Sequence, residues 1–252
     1  MALFDIVRMG KRPNASPSRV AHVSGSVPAA VEAAVVLRRC AEWRKVFSGA
    51  EVAYPADALR YPPAAAWIRR HGCSVEACSA EALSLTVSAG IRPARVVFRC
   101  AGEANSTISD GIGLGFGQFI VASHHDVAML GACAQRPQRV LVDVTTEPVD
   151  DLAAAILADG RLDLVGVHST IDGADGCGAV ERALAQMSYL RHHDGMITTR
   201  LYLAVGERPA GGTLSSLAGA IDDAVDEGCA RWRFPRPEPV VAPDLAILAS
   251  RQ

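Results

Sequence analysis

The chain has little lysine, little net charge and no long apolar run. Lys11 and Lys45 are its two lysines, and the 25 basic side chains are balanced by 27 acidic ones to a formal net charge of −2. Proteins that bind the nucleic-acid backbone normally carry a strong basic excess, so this balance argues against that class. No apolar run reaches the ~20 residues of a membrane span. We therefore expect neither nucleic-acid nor membrane binding.

Several sequence signatures are also missing. The seven cysteines form no CxxC pair and no zinc-spaced cluster with histidine, so we expect free thiols and no metal site. The first residues carry Asp5 and no apolar stretch before a small-residue cleavage site, which indicates no signal peptide and a cytoplasmic protein. The glycines of residues 110–118 end a helix and enter a strand, the reverse of the order in a dinucleotide-binding loop.

Short apolar runs alternate with segments of helical period. Continuous apolar runs are typical of parallel strands that are buried on both faces. We predict eight strands, near residues 51–57, 74–79, 95–100, 118–123, 139–144, 164–169, 199–205 and 239–245. This pattern predicts a (β/α)8 TIM-type barrel, and a doubly wound sheet is the alternative. We expect an N-terminal arm over residues 1–27, which is rich in Pro, Ser and Gly, and a single barrel domain over residues 28–252.

Candidate functional residues follow from the barrel. Chemistry in such barrels lies at the C-terminal ends of the strands, here called the mouth. The residues expected there are Asp57, Ser79, Arg99, Cys100, Ser123, Asp143, His168, Thr170, Asp172, Gly206, Glu207 and Asp244. His168 ends the run GVHS, so it is either a polar pocket residue or a buried, hydrogen-bonded histidine.

A series of segments is similar, in order and spacing, to the motifs of one enzyme family. They are EVAYPADALRYPP (51–63), SVEACSAEAL (74–83), GLGFGQFIVAS (113–123), LVGVHSTIDG (164–173) and RLYLAVGE (200–207). Over about residues 50–249 the chain resembles the barrel domain of the fold-type III pyridoxal-phosphate decarboxylases, the diaminopimelate/ornithine decarboxylase group. The resemblance implies the barrel of the decarboxylases and alanine racemases. We expect that barrel without the family's C-terminal β-domain.

The departures from the family motifs fall on residues that carry its chemistry. The lysine that forms an imine with the cofactor aldehyde falls at Asp57, and the imidazole that stacks on the cofactor ring falls at Thr170. A further family histidine, in an HG pair, falls at Arg99. The phosphate-binding turns become Ala204-Val205-Gly206, Ile171-Asp172-Gly173 and Ala242-Pro243-Asp244-Leu245.

These changes disfavour the family cofactor. An aspartate cannot form an imine, and Asp172 and Asp244 bring negative charge to the place implied for a dianionic phosphate. Lys45 precedes the first strand, so we expect it at the opposite end of the barrel, and Lys11 lies in the arm. We therefore expect no bound cofactor.

Three functional hypotheses stay open. The first is a degenerate decarboxylase-like barrel, without the imine lysine, that acts as a non-catalytic binding or regulatory homologue. Its partner would be a full-length decarboxylase or a second copy of itself. Another hypothesis keeps pyridoxal phosphate bound without an imine, held near Gly206 and Gly173 with help from Arg99.

The remaining hypothesis is a repurposed enzyme. Carboxylates beside an imidazole at the mouth suit general acid/base chemistry. The residues concerned are Asp57, Asp143, His168, Asp172 and Asp244. Each carboxylate could equally form a salt bridge opposite Arg99.

Overall fold

The structure, a computed structural model, describes residues 29–145, 149–172, 176–206 and 212–250. Within these ranges eight parallel strands close into a barrel in chain order, β1 pairing with both β2 and β8. The strands are β1 (Glu51–Pro55), β2 (Ser74–Ala77), β3 (Val96–Arg99), β4 (Gln118–Val121), β5 (Gln138–Asp143), β6 (Leu162–Ile171), β7 (Arg200–Val205) and β8 (Glu238–Pro243). The predicted (β/α)8 barrel is confirmed, and the doubly wound alternative is wrong because the sheet closes. The arm predicted over residues 1–27 lies outside the described residues.

Helices surround the strands. They are α1 (Ala29–Val46), α2 (Pro62–His71), α3 (Ala80–Ser88), α4 (Asn105–Leu114), α5 (His124–Cys133), α6 (Asp150–Ala158), α7 (Gly176–His193), α8 (Leu214–Trp232) and α9 (Leu245–Ala249). Short 3-10 turns cover Ala56–Arg60 after β1 and Pro93–Arg95 before β3. None of the described helices is both long enough and apolar enough to cross a bilayer.

Local residue choices set the helix ends. Pro62 and Pro63 open α2, where proline's missing N–H costs nothing, and Gly72 ends it with a φ of 61°. The Ser79 side chain accepts a hydrogen bond from the Ala82 N–H at the start of α3. Thr213 does the same for Ser216 at the start of α8, which satisfies a helix N–H that would otherwise have no partner.

The core has two parts. The larger lies between the strands and the helices, and it includes the buried side chains of Trp43, Tyr54, Ile68 and Phe98. The smaller fills the barrel interior with Ala53, Val97, Ile120, Leu141, Tyr202, Val240 and Ala242. Because side chains alternate along a strand, the residues two positions before and after a member of this interior layer also point inward. The layer therefore separates polar side chains at the mouth from those at the opposite end, here called the base.

Strand register places the mouth residues side by side. Asp143 on β5 pairs with His168 on β6, and His168 pairs with Tyr202 on β7. Partners in a parallel pair point to the same face of the sheet. The register therefore sets a carboxylate, an imidazole and a phenol in one row across three strands.

Candidate functional site

A network of charged and polar side chains lies at the mouth. Arg99 donates from Nε and Nη2 to Glu76 Oε1 at 3.2 and 2.7 Å. The Tyr202 hydroxyl donates to Glu76 Oε2 at 2.7 Å. Both carboxylate oxygens of Glu76 are thus engaged, and its charge is neutralised by the guanidinium.

His168 continues the network toward β5. Its ring is fully buried and packs against Tyr202, with the ring centroids 5.5 Å apart and the planes tilted by 35°. Arg99 Nη2 lies 3.1 Å from His168 Nε2, and since a guanidinium only donates, Nε2 must be the accepting nitrogen. This contact leaves the ring proton on Nδ1. That nitrogen lies 3.2 Å from Asp143 Oδ2 but makes no hydrogen bond within the described residues.

Asp143 is ionised in this network. Thr145 donates to Asp143 Oδ1 from its N–H at 2.9 Å and from its hydroxyl at 2.5 Å. Burial acts to raise the pKa of Asp143, but the contact with His168 and the bonds from Thr145 outweigh it and lower the pKa to about 2. Arg99 Nη1 stands 3.8 Å from Asp143 Oδ2, so one guanidinium faces two carboxylates.

The protonation of Arg99 and Tyr202 follows from the same contacts. Burial works against the charged guanidinium of Arg99, but Glu76 and Asp143 more than compensate and raise its pKa. Burial and the neighbouring Glu76 carboxylate hold the pKa of Tyr202 well above its usual range. The network thus combines two carboxylates, one guanidinium, an imidazole beside that guanidinium and a phenol that donates.

A cavity of about 300 Å³ opens above the network. Its polar lining includes Asp57, Glu76, Arg99, Thr170 and Asp244. His168 and Asp143 are not among the lining residues. A small molecule in the cavity would therefore meet Arg99 and Glu76, while the imidazole stays behind them.

The acidic residues at the rim have local partners. Asp57 is half-exposed and accepts from Arg60 Nε at 2.9 Å. Asp244 accepts from the Ala246 N–H at 2.9 Å, which caps α9. Both carboxylates thus have local partners, although both also line the cavity.

The ends of β6 and β7 are closed by the chain itself. A Cβ at Gly206 would collide with Asp172 Oδ1, so the glycine lets this carboxylate lie over the end of β7. The Gly206 N–H donates to Ile171 O at 3.2 Å and the Asp244 N–H donates to Val205 O at 3.0 Å. Gly173, the other predicted residue of this region, lies outside the described residues.

The predicted acid/base residues do not all meet. The structure brings Asp143 and His168 into contact and places Arg99 against both, as the salt-bridge alternative for Asp143 expects. In the described part of the chain, Asp57, Asp172 and Asp244 show no contact with this pair. His168 is fully buried: its Nε2 faces Arg99, and its Nδ1 has no hydrogen-bond partner within the described residues.

Sequence reasoning missed Glu76, Tyr202 and Thr145. Glu76 and Tyr202 sit inside predicted strands, where they interrupt apolar runs. A charged or hydroxylated residue in a strand that is covered on both faces is itself an indication that it points into the barrel.

The structure also shows where the described lysine lies and whether potential metal ligands cluster. Lys45 is exposed in the last turn of α1, before β1 and therefore at the base, as expected. No lysine lines the mouth cavity among the described residues, and Lys11 lies outside them. In the described ranges no three His, Cys, Asp or Glu side chains are arranged to hold a metal ion.

Comparison with known proteins identifies relatives. The family model of the pyridoxal-dependent decarboxylases, pyridoxal binding domain, matches residues 33–161. A diaminopimelate decarboxylase of Actinosynnema pretiosum subsp. auranticum is 31% identical over 153 residues, which are 61% of this chain and 35% of that protein.

Solved structures share the fold. The AQ1208 structure from Aquifex aeolicus has a TM-score of 0.70 at 19% identity, over 84% of this chain and 56% of that one. Diaminopimelate decarboxylase from Helicobacter pylori, complexed with L-lysine, has a TM-score of 0.70 at 15% identity, over 84% and 61%. This chain thus spans about a third of the curated relative and less than two thirds of these structures. Because the family model covers half of its length, the chain belongs to the pyridoxal-dependent decarboxylase family, through the pyridoxal binding domain.

Proposed function

We propose that this barrel is a non-catalytic, decarboxylase-like homologue that acts by binding rather than by cofactor chemistry. One observation carries the proposal. Within the described residues, the charged groups that line the mouth cavity are the carboxylates of Asp57, Glu76 and Asp244 and the guanidinium of Arg99, with no lysine. Decarboxylation in this family begins with an imine between a lysine and the cofactor aldehyde, and the described lining of this cavity offers no amine for it.

The cavity also fits a phosphate poorly. A dianionic phosphate needs free N–H donors or cations. The N–H groups of Gly206 and Asp244 already donate to the backbone, and the Asp172 carboxylate occupies the space beside Gly206. Arg99 is held by Glu76. These contacts support the proposal that the barrel no longer binds pyridoxal phosphate.

The test is a titration of the protein with pyridoxal phosphate. Absorbance in the imine band and borohydride trapping report a covalent adduct, and equilibrium dialysis reports retention without one. The matched variant is Asp57→Lys, which returns an amine to the position that the family uses.

We expect the unaltered chain to form no trapped adduct and to retain no pyridoxal phosphate at the mouth. If only the Asp57→Lys variant gives a trapped adduct, the residue at position 57 accounts for the absence of an imine in the unaltered chain. An adduct on Lys45 or Lys11 of the unaltered chain would overturn the proposal, and so would tight retention that Arg99→Met abolishes.

A regulatory role requires a partner. We propose a cytoplasmic protein that pairs with a full-length decarboxylase of its own family or with a second copy of itself, because relatives of this barrel are full-length decarboxylases. Size-exclusion chromatography with light scattering, alone and with a purified diaminopimelate decarboxylase, tests this. A strictly monomeric chain that leaves the enzyme's elution and activity unchanged would refute it.

The contact between Asp143 and His168 favours acid/base catalysis as a second candidate. A general base must reach its substrate with a free nitrogen. His168 is fully buried, and its accepting nitrogen faces Arg99. Catalysis here would require Arg99 to leave that nitrogen, so a turnover that survives His168→Gln would rule this candidate out.

A further inference from the structure

A second cavity lies at the base of the barrel, away from the mouth. It is a groove of about 380 Å³ between the ends of α1 and α2 and the starts of β1 and β2. Its polar lining includes Arg44, Ser48, Glu51, His71, Ser74 and Arg95. The interior apolar layer separates this groove from the decarboxylase-like mouth.

Arg44, which lines this groove, and Arg92, which lies beside it, have no carboxylate partner among the described residues. Arg44 contacts Cys73 Sγ at 3.8 Å and lies 5.9 Å from the centre of the Trp67 ring. Arg92 lies against Gly72, a lining residue, so closely that a Cβ there would meet its guanidinium. Both side chains therefore carry charge that the described part of the chain leaves uncompensated.

In the part of the chain that the structure describes, the histidine at the groove has a partner at one ring nitrogen only. His71 Nδ1 is 2.8 Å from Trp67 O, and since a carbonyl only accepts, Nδ1 carries a proton. The other ring nitrogen, Nε2, is left to face solvent or a ligand.

The single carboxylate of the groove is already shared. Glu51 accepts from Ser74, from Arg95 at 3.3 Å and from Arg200 at 2.5 Å. Its one negative charge thus serves two guanidiniums, of which Arg200 also pairs with Glu238 at 3.2 Å. The groove keeps a positive surplus in a chain whose formal net charge is −2.

Helix polarity explains only part of this charge. Cations near the C-terminal ends of helices interact favourably with the helix dipole, which accounts for Arg44 on α1. Arg92 and Arg95 lie instead in the segment before β3, outside any α-helix. Burial raises the pKa of the nearby Cys73 thiol, and Arg44 and Arg95 both oppose this shift, so their positive potentials overlap at that point.

We propose that this groove binds a small molecule that bears a phosphate group, with Arg44 and Arg95 as its principal ligands and Arg92 at its rim. Guanidinium groups match the oxygens of a phosphate with two parallel hydrogen bonds. The concave shape favours a compact ligand over an acidic protein surface, which would need a broad, flat patch.

The test uses inorganic pyrophosphate as the probe, titrated into the full chain by isothermal calorimetry at low ionic strength. The variants are Arg44→Gln with Arg95→Gln, and the exposed single change Arg92→Gln, which touches no ion pair of the described chain. The control is Arg38→Gln, an exposed arginine of α1 that does not line the groove. Circular dichroism confirms that each variant is folded.

We expect pyrophosphate to bind the unaltered chain and Arg38→Gln equally. The double variant should bind at least tenfold more weakly and Arg92→Gln severalfold more weakly, with affinity falling as salt rises. Equal affinity in all four proteins, or no binding to the unaltered chain, would overturn the proposal. Binding of poly-glutamate without pyrophosphate would also overturn it, since the groove would then serve an acidic polypeptide.

Discussion

Removal of Arg99 should destabilise the barrel more than the loss of any surface ion pair. Its guanidinium neutralises Glu76, donates to His168 and faces Asp143, and the two carboxylate side chains are only 16% exposed. Removing one partner of a buried ion pair costs about 3–5 kcal/mol because the other charge stays buried. Since Arg99 is partly exposed, we expect Arg99→Met to cost about 3 kcal/mol, a large share of the ~5–15 kcal/mol that stabilises a typical domain.

A double-mutant cycle isolates the cause. Glu76→Gln removes the carboxylate that Arg99 holds, so the double variant no longer buries an unpaired charge at this point. We expect the two single changes to cost more in sum than the double change, with a coupling of about 2 kcal/mol. Denaturation with guanidinium chloride, monitored by tryptophan fluorescence, measures the free energy of unfolding of the unaltered chain, the two single variants and the double variant.

A matched control separates burial from ion pairing as such. Arg60 pairs with Asp57 and Glu81 on the surface, where solvent screens the charges. Arg60→Gln should leave the denaturation midpoint unchanged. If Arg99→Met and Arg60→Gln behave alike, or if the cycle is additive, then the mouth network does not hold the barrel together and our account of it is wrong.

Three further predictions concern single groups. The pKa of Asp143 is lowered to about 2, so its contribution to stability is present above about pH 4 and is lost as the pH falls toward 2; Asp143→Asn should flatten acid unfolding curves in that window. Thr145→Val removes the hydroxyl that donates to Asp143 and accepts from the Thr170 N–H at 3.1 Å, and it should lower the free energy of unfolding by about 1–2 kcal/mol. At pH 8, iodoacetamide should modify exposed Cys177 and spare buried Cys40, whose pKa burial raises to about 12, as peptide mass spectrometry would show.

The strands could be predicted because the barrel buries them on both faces. All eight appear within a few residues of the predicted positions. The errors have local causes: the segment after β1 turns into a 3-10 helix at Ala56, and Ser79 caps α3 rather than ending β2. β6 extends two residues beyond the prediction at each end because Asp163 and Thr170 continue it as polar residues, which an apolar-run criterion excludes.

The mouth network could be predicted only in part. Arg99, Asp143 and His168 were expected because each ends a strand. Their partner Glu76 lies 23 residues from Arg99 in sequence and 126 from Tyr202. Such contacts depend on barrel closure and strand stagger, which a linear pattern does not encode. The basic groove at the base was missed for the same reason, since it combines residues from α1, α2 and the segment before β3.

The pairing of β1 with β8 has a consequence for how the chain is made. Glu51 pairs with Val240, so the barrel closes only when a strand from the first quarter of the chain meets its last strand. A chain emerging from the ribosome can pair β1 with β2 and extend the sheet strand by strand, yet β1 keeps an open edge until β8 is available. Such an edge is a template for pairing with other chains. Late synthesis of β8 therefore sets the period during which this protein is most prone to aggregate, and chaperone binding should be strongest before residue 240 emerges.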